Sequence, residues 1–301
     1  MGKFAPIIFM AYKRPELTRR ALESLAANPE AAESELFVFA DGPKDNATEQ
    51  DLQQIAATRQ VIRSRDWCGM VHLQEKVKNE GLANSVIHAV TDVLDKHGRA
   101  IILEDDLVLS PCFLQYMNAA LEMYEDEAMV ASIHGYVYPV KEHLPETFFI
   151  RGADCWGWAT WSRAWKQFEP DGSKLYDAIR LKGESAAFNF DNNYDYMKML
   201  HKQTTGKNDS WAVRWYASAF LKNMVTLYPG ASLVQNIGMD ASGTHMGEMD
   251  AETFDVTLAS SPVKLVKQPA VASIEGTQAF IAYFKSIKPG FLQRIRTAFK
   301  K

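Results

Sequence analysis

The sequence predicts an α/β fold: a mostly parallel central sheet, doubly wound with helices. Three observations carry that prediction. Short β-branched or apolar runs alternate with runs of helical period through the first half of the chain, the pattern of βαβ units. The connections between them are short and rich in Gly, Pro, Asn and Asp. One apolar run, Ala100-Ile101-Ile102-Leu103, ends abruptly in Glu104-Asp105-Asp106 before Leu107-Val108-Leu109 resumes. Open α/β sheets present their ligand-binding groups at the carboxyl ends of strands.

Residues 6–10 read as the first strand. Pro15 suits the first turn of a helix with Leu17, Ala21, Leu22 and Leu25 on its apolar face, and Asn28-Pro29 stops it. Residues 36–40 form the second strand, followed by the turn Asp41-Gly42-Pro43. Thr48, with Asp51 three residues on, makes a capping arrangement for a helix running to about residue 63. Residues 70–74 are the third strand. Leu82, Val86, Val90 and Leu94 recur at spacing four in a helix over 81–96, and residues 99–103 are the fourth strand. Pro111 opens a further helix, and 129–134 is a further strand.

The second half is less regular. It holds the aromatic run Trp156-Gly157-Trp158-Ala159-Thr160-Trp161, an Asn-rich stretch over 188–206 and a helix over 211–222. Short extended pieces follow around 227–234, then a polar segment that includes His245. No internal repeat, low-complexity tract or linker divides the chain. One composite domain over 1–265 is expected, with halves 1–110 and 111–265, followed by a tail over 266–301.

Of the 301 residues 47% are hydrophobic and 23% charged, the composition of an ordinary globular protein. The net charge of -4 supplies no basic field for nucleic acid. Cys68, Cys112 and Cys155 form neither a zinc pattern nor a disulfide framework, which favours a reducing compartment. No run reaches the roughly 20 apolar residues of a membrane span. The first strand begins almost at once, so no signal peptide is expected and the expected location is cytoplasmic. The tail is a different matter. Residues 280–301 mix Phe280, Ile281, Phe284, Phe291, Leu292 and Phe299 with Lys285, Arg294, Arg296, Lys300 and Lys301 and contain no acid. Such a segment either lies peripherally on an anionic membrane face or docks as a terminal helix on the domain.

The acidic triplet is the chemical focus. Carboxylates between apolar runs are costly to bury without a counter-charge, and hard oxygens at a strand end suit a divalent metal on a phosphorylated ligand. Asp106 is the expected direct ligand. Solvated acids at a strand-to-turn boundary are the plain alternative.

The order of motifs is similar to that of GT-A fold nucleotide-sugar glycosyltransferases, namely inverting family two and the N-acetylglucosaminyltransferase I family. The motifs are Ala11-Tyr12-Lys13-Arg14-Pro15 after the first strand, Ala40-Asp41-Gly42 after the second, Lys78-Asn79-Glu80-Gly81-Leu82-Ala83 before a helix, Leu103-Glu104-Asp105-Asp106, Gly157-Trp158, and Asn208-Asp209-Ser210-Trp211. They span about residues 5–247. Each is weak alone; their order makes the set specific. The resemblance implies a GT-A sheet with an irregular acceptor-side second half. It also implies a UDP-sugar donor, a glycan or lipid-linked acceptor, and Mn2+ or Mg2+.

The same resemblance assigns roles. Arg14 and Asp41 hold the nucleobase and ribose, and Asn79 and Gly81 line the nucleotide pocket. Glu104 faces the sugar, Asp105 the ribose, and Asp106 the metal, with His245 as a second metal ligand. Trp156, Gly157 and Trp158 lie near the sugars, where aromatic faces stack, although aromatic clusters are commonly core. Asp209 is the general base, its pKa raised by Trp211 and Trp215, or else the cap of the helix that follows. Two other classes compete: a nucleotidyltransferase, which usually carries a glycine-rich loop absent from Tyr12-Lys13-Arg14-Pro15, and an inert nucleotide- or sugar-binding protein. A glycoside hydrolase would leave the nucleotide motifs unused.

Overall fold

The computed structural model describes residues 4–238 and 251–288. His245 and residues 289–301 lie outside that set. The alternation in the first half gives β1 (Ile7–Ala11), α1 (Pro15–Ala26), β2 (Glu35–Ala40), α2 (Glu49–Arg63), β3 (Met70–Glu75), α3 (Leu82–His97) and β4 (Arg99–Glu104). All four strands are parallel, with Ile7 opposite both Leu36 and Ile101. Side chains alternate across a strand, so β1 feeds two cores. Ile7 and Phe9 pack with Leu22 and Leu25 of α1, whereas Ile8 and Met10 pack with Val86, Val90 and Leu94 of α3. Covered on both faces, β1 is buried throughout.

The helix ends obey the sequence signals. Thr48 and Asp51 form the reciprocal capping box. Gly81 (φ 80°) precedes α3 and Gly98 (φ 77°) closes it in the left-handed conformation that favours glycine.

The second half adds β5 (Leu107–Leu109), α4 (Phe113–Met123), β6 (Val130–His134), β7 (Thr147–Arg151), β8 (Trp158–Trp161), α5 (Ser162–Trp165), α6 (Gly172–Leu181) and α7 (Ser185–Phe188). After these come α8 (Tyr196–Thr204), α9 (Trp211–Leu221), β9 (Val225–Pro229), β10 (Val234–Asn236) and α10 (Ile274–Ile287). The main sheet runs β3-β2-β1-β4-β8-β6-β9-β7, and β5 pairs with β10 in a two-stranded ribbon. The aromatic run 156–161 is therefore mostly strand: β8 lies antiparallel between β4 and β6, with Ile102 opposite Trp158. This is the mostly parallel, helix-flanked sheet the sequence predicted, with antiparallel strands β8 and β7 added on the second-half side. Trp158 and Trp161 are core residues.

The described part of the expected tail is a docked helix. Ser273 caps α10 through the Gly276 N–H and donates its own N–H to Phe149 of the edge strand β7, 2.8 Å. Phe280 and Phe284 are fully buried against Tyr138 and Phe190. The apolar face of residues 280–287 is thus used by the core and is not free for a membrane. Among the described residues no helix is long and apolar enough to cross a bilayer.

Candidate active site

Parallel pairing sets the site. Met10 stands opposite Glu104, so the carboxyl ends of β1 and β4 lie side by side. Just beyond them Arg14 precedes α1, where Pro15 takes the first helical position. The Arg14 guanidinium forks. One nitrogen donates to Asp105 Oδ1 and the other lies 3.0 Å from Asp106 Oδ2. The Tyr12 N–H also donates to Asp105, 3.3 Å. Asp105 and Asp106 are buried, while Glu104 is half-buried and has no hydrogen-bond partner among the described residues.

Burial pushes the Glu104 carboxyl above its usual range, and the charges of Asp106 and Asp105 add to that. Burial also raises Asp105, with Arg14 pulling the other way. Burial disfavours the Arg14 cation, yet Asp105 and Asp106 hold its pKa above the ordinary value. Fully ionised, three carboxylates and one guanidinium (−3 and +1) leave the cluster with a net charge of −2.

Asp106 sits in the turn between β4 and β5. Its carbonyl accepts from the Ile237 N–H at 2.8 Å, which brings the chain after β10 over it. Gly238 then lies against the carboxylate, and a β-carbon there would stand 2.2 Å from Oδ2. A hard oxygen in a cradle that a side chain would fill fits a divalent cation. Among the described residues no three His, Cys, Asp or Glu side chains converge into a cage. The residues therefore suit a cation held by one or two carboxylates and completed by a ligand's phosphates.

Asp41, at the end of β2, is saturated. Its carboxylate accepts from the Gly42 and Glu80 N–H groups (2.8 and 3.1 Å), from Asn79 Nδ2 (3.0 Å) and from Ser85 Oγ (3.4 Å). Asn79 also bonds the Gly42 carbonyl, 3.0 Å. Asp41 thus staples the loop 79–81 to the end of the sheet. Gly42 is required by contact, since its β-carbon would lie 2.5 Å from the Lys78 backbone. Around Gly81 the space is open, so its positive φ rather than close packing accounts for glycine.

The segment before β8 reaches the site from the other side. Trp156 packs edge-on to Tyr136 and Phe254, and its N–H donates to His134 Nε2, 3.0 Å. Gly157 (φ 65°) accepts from the Gly135 N–H at 2.7 Å, and a β-carbon there would meet Val234 Cγ2 at 2.7 Å. Burial raises the Cys155 thiol pKa, and the charge of Asp154, then those of Glu104 and Asp106, add to that.

Asp209 makes no hydrogen bond or ion pair with this cluster among the described residues. It is exposed and pairs with Arg214, 3.3 Å. Ser210, not Asp209, caps α9 by accepting from the Val213 N–H. Trp211 and Trp215, expected to enclose Asp209, turn into the core, with Trp211 stacked on Trp158 at 5.5 Å. Sequence reading missed two residues, Gly238 and Asp154. The Asp154 carboxylate accepts from the Tyr138 hydroxyl (2.9 Å) and the Cys155 N–H (2.9 Å). A lone acid in Gly152-Ala153-Asp154-Cys155-Trp156 was the available signal.

A parallel half-sheet that ends in an acidic turn, countered by an arginine from the loop after β1, is the layout of an α/β protein whose ligand site lies at the carboxyl ends of its strands. Residues 1–185 match the profile of the GNT-I family, and the chain belongs to that family. It is 25% identical over 190 residues to an alpha-1,3-mannosyl-glycoprotein 2-beta-N-acetylglucosaminyltransferase of Arabidopsis thaliana, covering 59% of this chain and 42% of the relative. The chain thus spans less than half the length of that relative.

Among solved structures, S. aureus TarS superposes on 50% of this chain and 25% of its own, with TM-score 0.31 and 16% identity. The galactosyltransferase LgtC, in complex with donor and acceptor sugar analogs, covers 95% of this chain and 97% of its own, with TM-score 0.35 and 10% identity. Both superpositions are loose.

Proposed function

We propose that the chain is an inverting, metal-dependent glycosyltransferase. It moves a sugar from a nucleotide-sugar, UDP-sugar in the first instance, to a hydroxyl of a glycan or lipid-linked acceptor. The observation that carries this reading is the Glu104-Asp105-Asp106 turn, partnered by Arg14, in a chain of the GNT-I family. Asp41 shapes the nucleotide pocket by holding Asn79 and Glu80, so that Asn79 and the adjoining Gly81 line it, and Arg14 and Asp105 meet the ribose and diphosphate. Glu104, whose carboxylate has no hydrogen-bond partner among the described residues, orients the sugar. Trp156 and Gly157 border the sugars from the β8 side.

Asp106 would hold Mn2+ or Mg2+, with His245 as a second ligand. The bound ion would supply Lewis-acid stabilisation of the departing diphosphate. Asp209 takes the proton of the attacking acceptor hydroxyl, a role consistent with an exposed carboxylate that an acceptor can reach. Residues 289–301, with Arg294, Arg296, Lys300 and Lys301 and no acid, suit contact with an anionic membrane surface.

A screen of nucleotide sugars, with and without Mn2+, for binding, slow hydrolysis and transfer to acceptor libraries tests the reading. Metal-dependent binding followed by transfer supports it. Binding without any turnover would favour an inert nucleotide-binding protein, and nucleotide addition to a sugar phosphate would favour a nucleotidyltransferase.

A further inference from the structure

Arg14 occupies the oxygen that a cation would need. Of the two Asp106 carboxylate oxygens, Oδ2 is the one that the missing Gly238 side chain leaves uncovered, and it is also the one 3.0 Å from the Arg14 guanidinium. A divalent ion and a guanidinium repel each other on a shared oxygen, most strongly where water is excluded. The second arm of the fork is on Asp105, itself fixed by the Tyr12 N–H. Asp105 is therefore a fixed pivot about which Arg14 can turn, whereas its hold on Asp106 is a single separate contact. The arginine side chain is 22% exposed, against 4% and 12% for the two aspartates, so it reaches the acids from the open side of the site.

We propose that Arg14 is a built-in counter-ion that holds the cation's place on Asp106 and changes partner when a nucleoside diphosphate enters. This rests on the metal–nucleotide reading of the site. Without ligand, the fork neutralises Asp105 and Asp106, and a lone divalent ion must displace it. When metal and diphosphate arrive together, the guanidinium leaves Asp106 for a phosphate oxygen, a partner its planar donors match equally well. Metal and nucleotide therefore help each other to bind, and by linkage each raises the other's affinity by the same factor. Arg14 is the positioning residue that produces this coupling.

The test is Mn2+ titration of the intact chain by calorimetry or paramagnetic resonance, with and without UDP, for wild type, Arg14→Met and Arg14→Lys. In wild type UDP should tighten Mn2+ binding markedly. In Arg14→Met, Mn2+ alone should bind about tenfold or more tighter than in wild type, as removal of a neighbouring positive charge requires, and the UDP effect should shrink. Arg14→Lys keeps the charge but lacks the planar two-armed fork, and should fall between. If Arg14→Met does not fold, the lysine variant decides. Mn2+ affinity unchanged or weaker in the folded variants overturns the counter-ion role while leaving the metal site intact. A wild type that binds no Mn2+, with or without UDP, removes the metal site and the counter-ion role together.

Discussion

Gly238 and Asp106 are in contact: the α-carbon of Gly238 lies so near the carboxylate that an added methyl would stand 2.2 Å from Oδ2. Gly238→Ala should therefore displace that oxygen and weaken Mn2+-dependent UDP binding by about tenfold or more, which is about 1.4 kcal/mol or more. Thermal stability should fall as well, since the same methyl would stand 2.7 Å from Asp106 Cβ, so binding is compared where the variant is folded. Titration of UDP at fixed Mn2+ measures it, and wild-type affinity would place the cation elsewhere.

Asp106→Ala should abolish the metal-dependent part of UDP binding, since it removes the oxygen that both Gly238 and Arg14 approach. Any metal-independent affinity should persist through the Asn79–Gly81 loop, which Asp41 holds independently. Equal UDP affinity with and without Mn2+ in the variant is the expected reading; an undiminished metal effect would remove Asp106 from the site.

Asp209→Asn should leave donor binding intact and lower transfer by roughly 10²–10⁴-fold, the usual contribution of a general base. The side chain is exposed and its partner Arg214 also bonds the Ser210 and Pro170 carbonyls, so the fold should tolerate the change. Transfer at the normal rate would send the search for the base to Asp154.

His134 should make the fold acid-sensitive. Its Nδ1–H donates to the Tyr136 carbonyl at 2.7 Å and its Nε2 accepts from the Trp156 N–H, so the neutral ring uses both nitrogens. Burial lowers its pKa, with Asp154 opposing. The unfolded chain, with a histidine pKa near 6.5, then binds the extra proton more readily. This contribution to stability is complete above about pH 6.5 and is lost as pH falls below it. Melting temperatures from pH 7.5 to 5 should show that loss in wild type and a smaller one in His134→Gln, whose amide can donate and accept in the same places. Parallel curves would mean that the ring takes its proton in the fold at no cost.

Two truncations should behave differently. Ending the chain after residue 288 keeps α10, so stability should hold while any association with anionic vesicles falls. Ending it after residue 279 removes Phe280 and Phe284, each worth about 3–5 kcal/mol when cut from a core, and should leave little folded protein. Circular dichroism and vesicle flotation read the two outcomes. Equal stability would mean that α10 contributes nothing to the core.

Much of the first half was legible because its strands are flanked by punctuation and its helices by caps. The Thr48–Asp51 capping box and the Asn28-Pro29 stop are local chemistry, readable without a partner. The ends of β1, β2 and β4 could be placed side by side for a different reason: parallel pairing brings strand ends together. The second half hides its pattern. β8 is buried on both faces and has no alternation to read, and β7 declares itself only through its pairing with β9. The Gly238 contact, the Arg14 fork and the turning of Trp211 away from Asp209 are set by chain crossings between distant residues. Spacing along the sequence carries none of them.

The docking of α10 also bears on how the chain is made. The four parallel strands nearest the amino terminus are complete once residue 104 has been synthesised. The other side of the sheet must wait much longer. Tyr138 needs Phe280 and Phe284, the Ser110 hydroxyl needs the Ala259 carbonyl, and Tyr124 needs the backbone of Gln268. As the polypeptide leaves the ribosome, the parallel side of the sheet is positioned to gain shape early, while the other side exposes aromatic surface through most of translation. Chaperone demand should therefore concentrate on nascent chains between those two lengths.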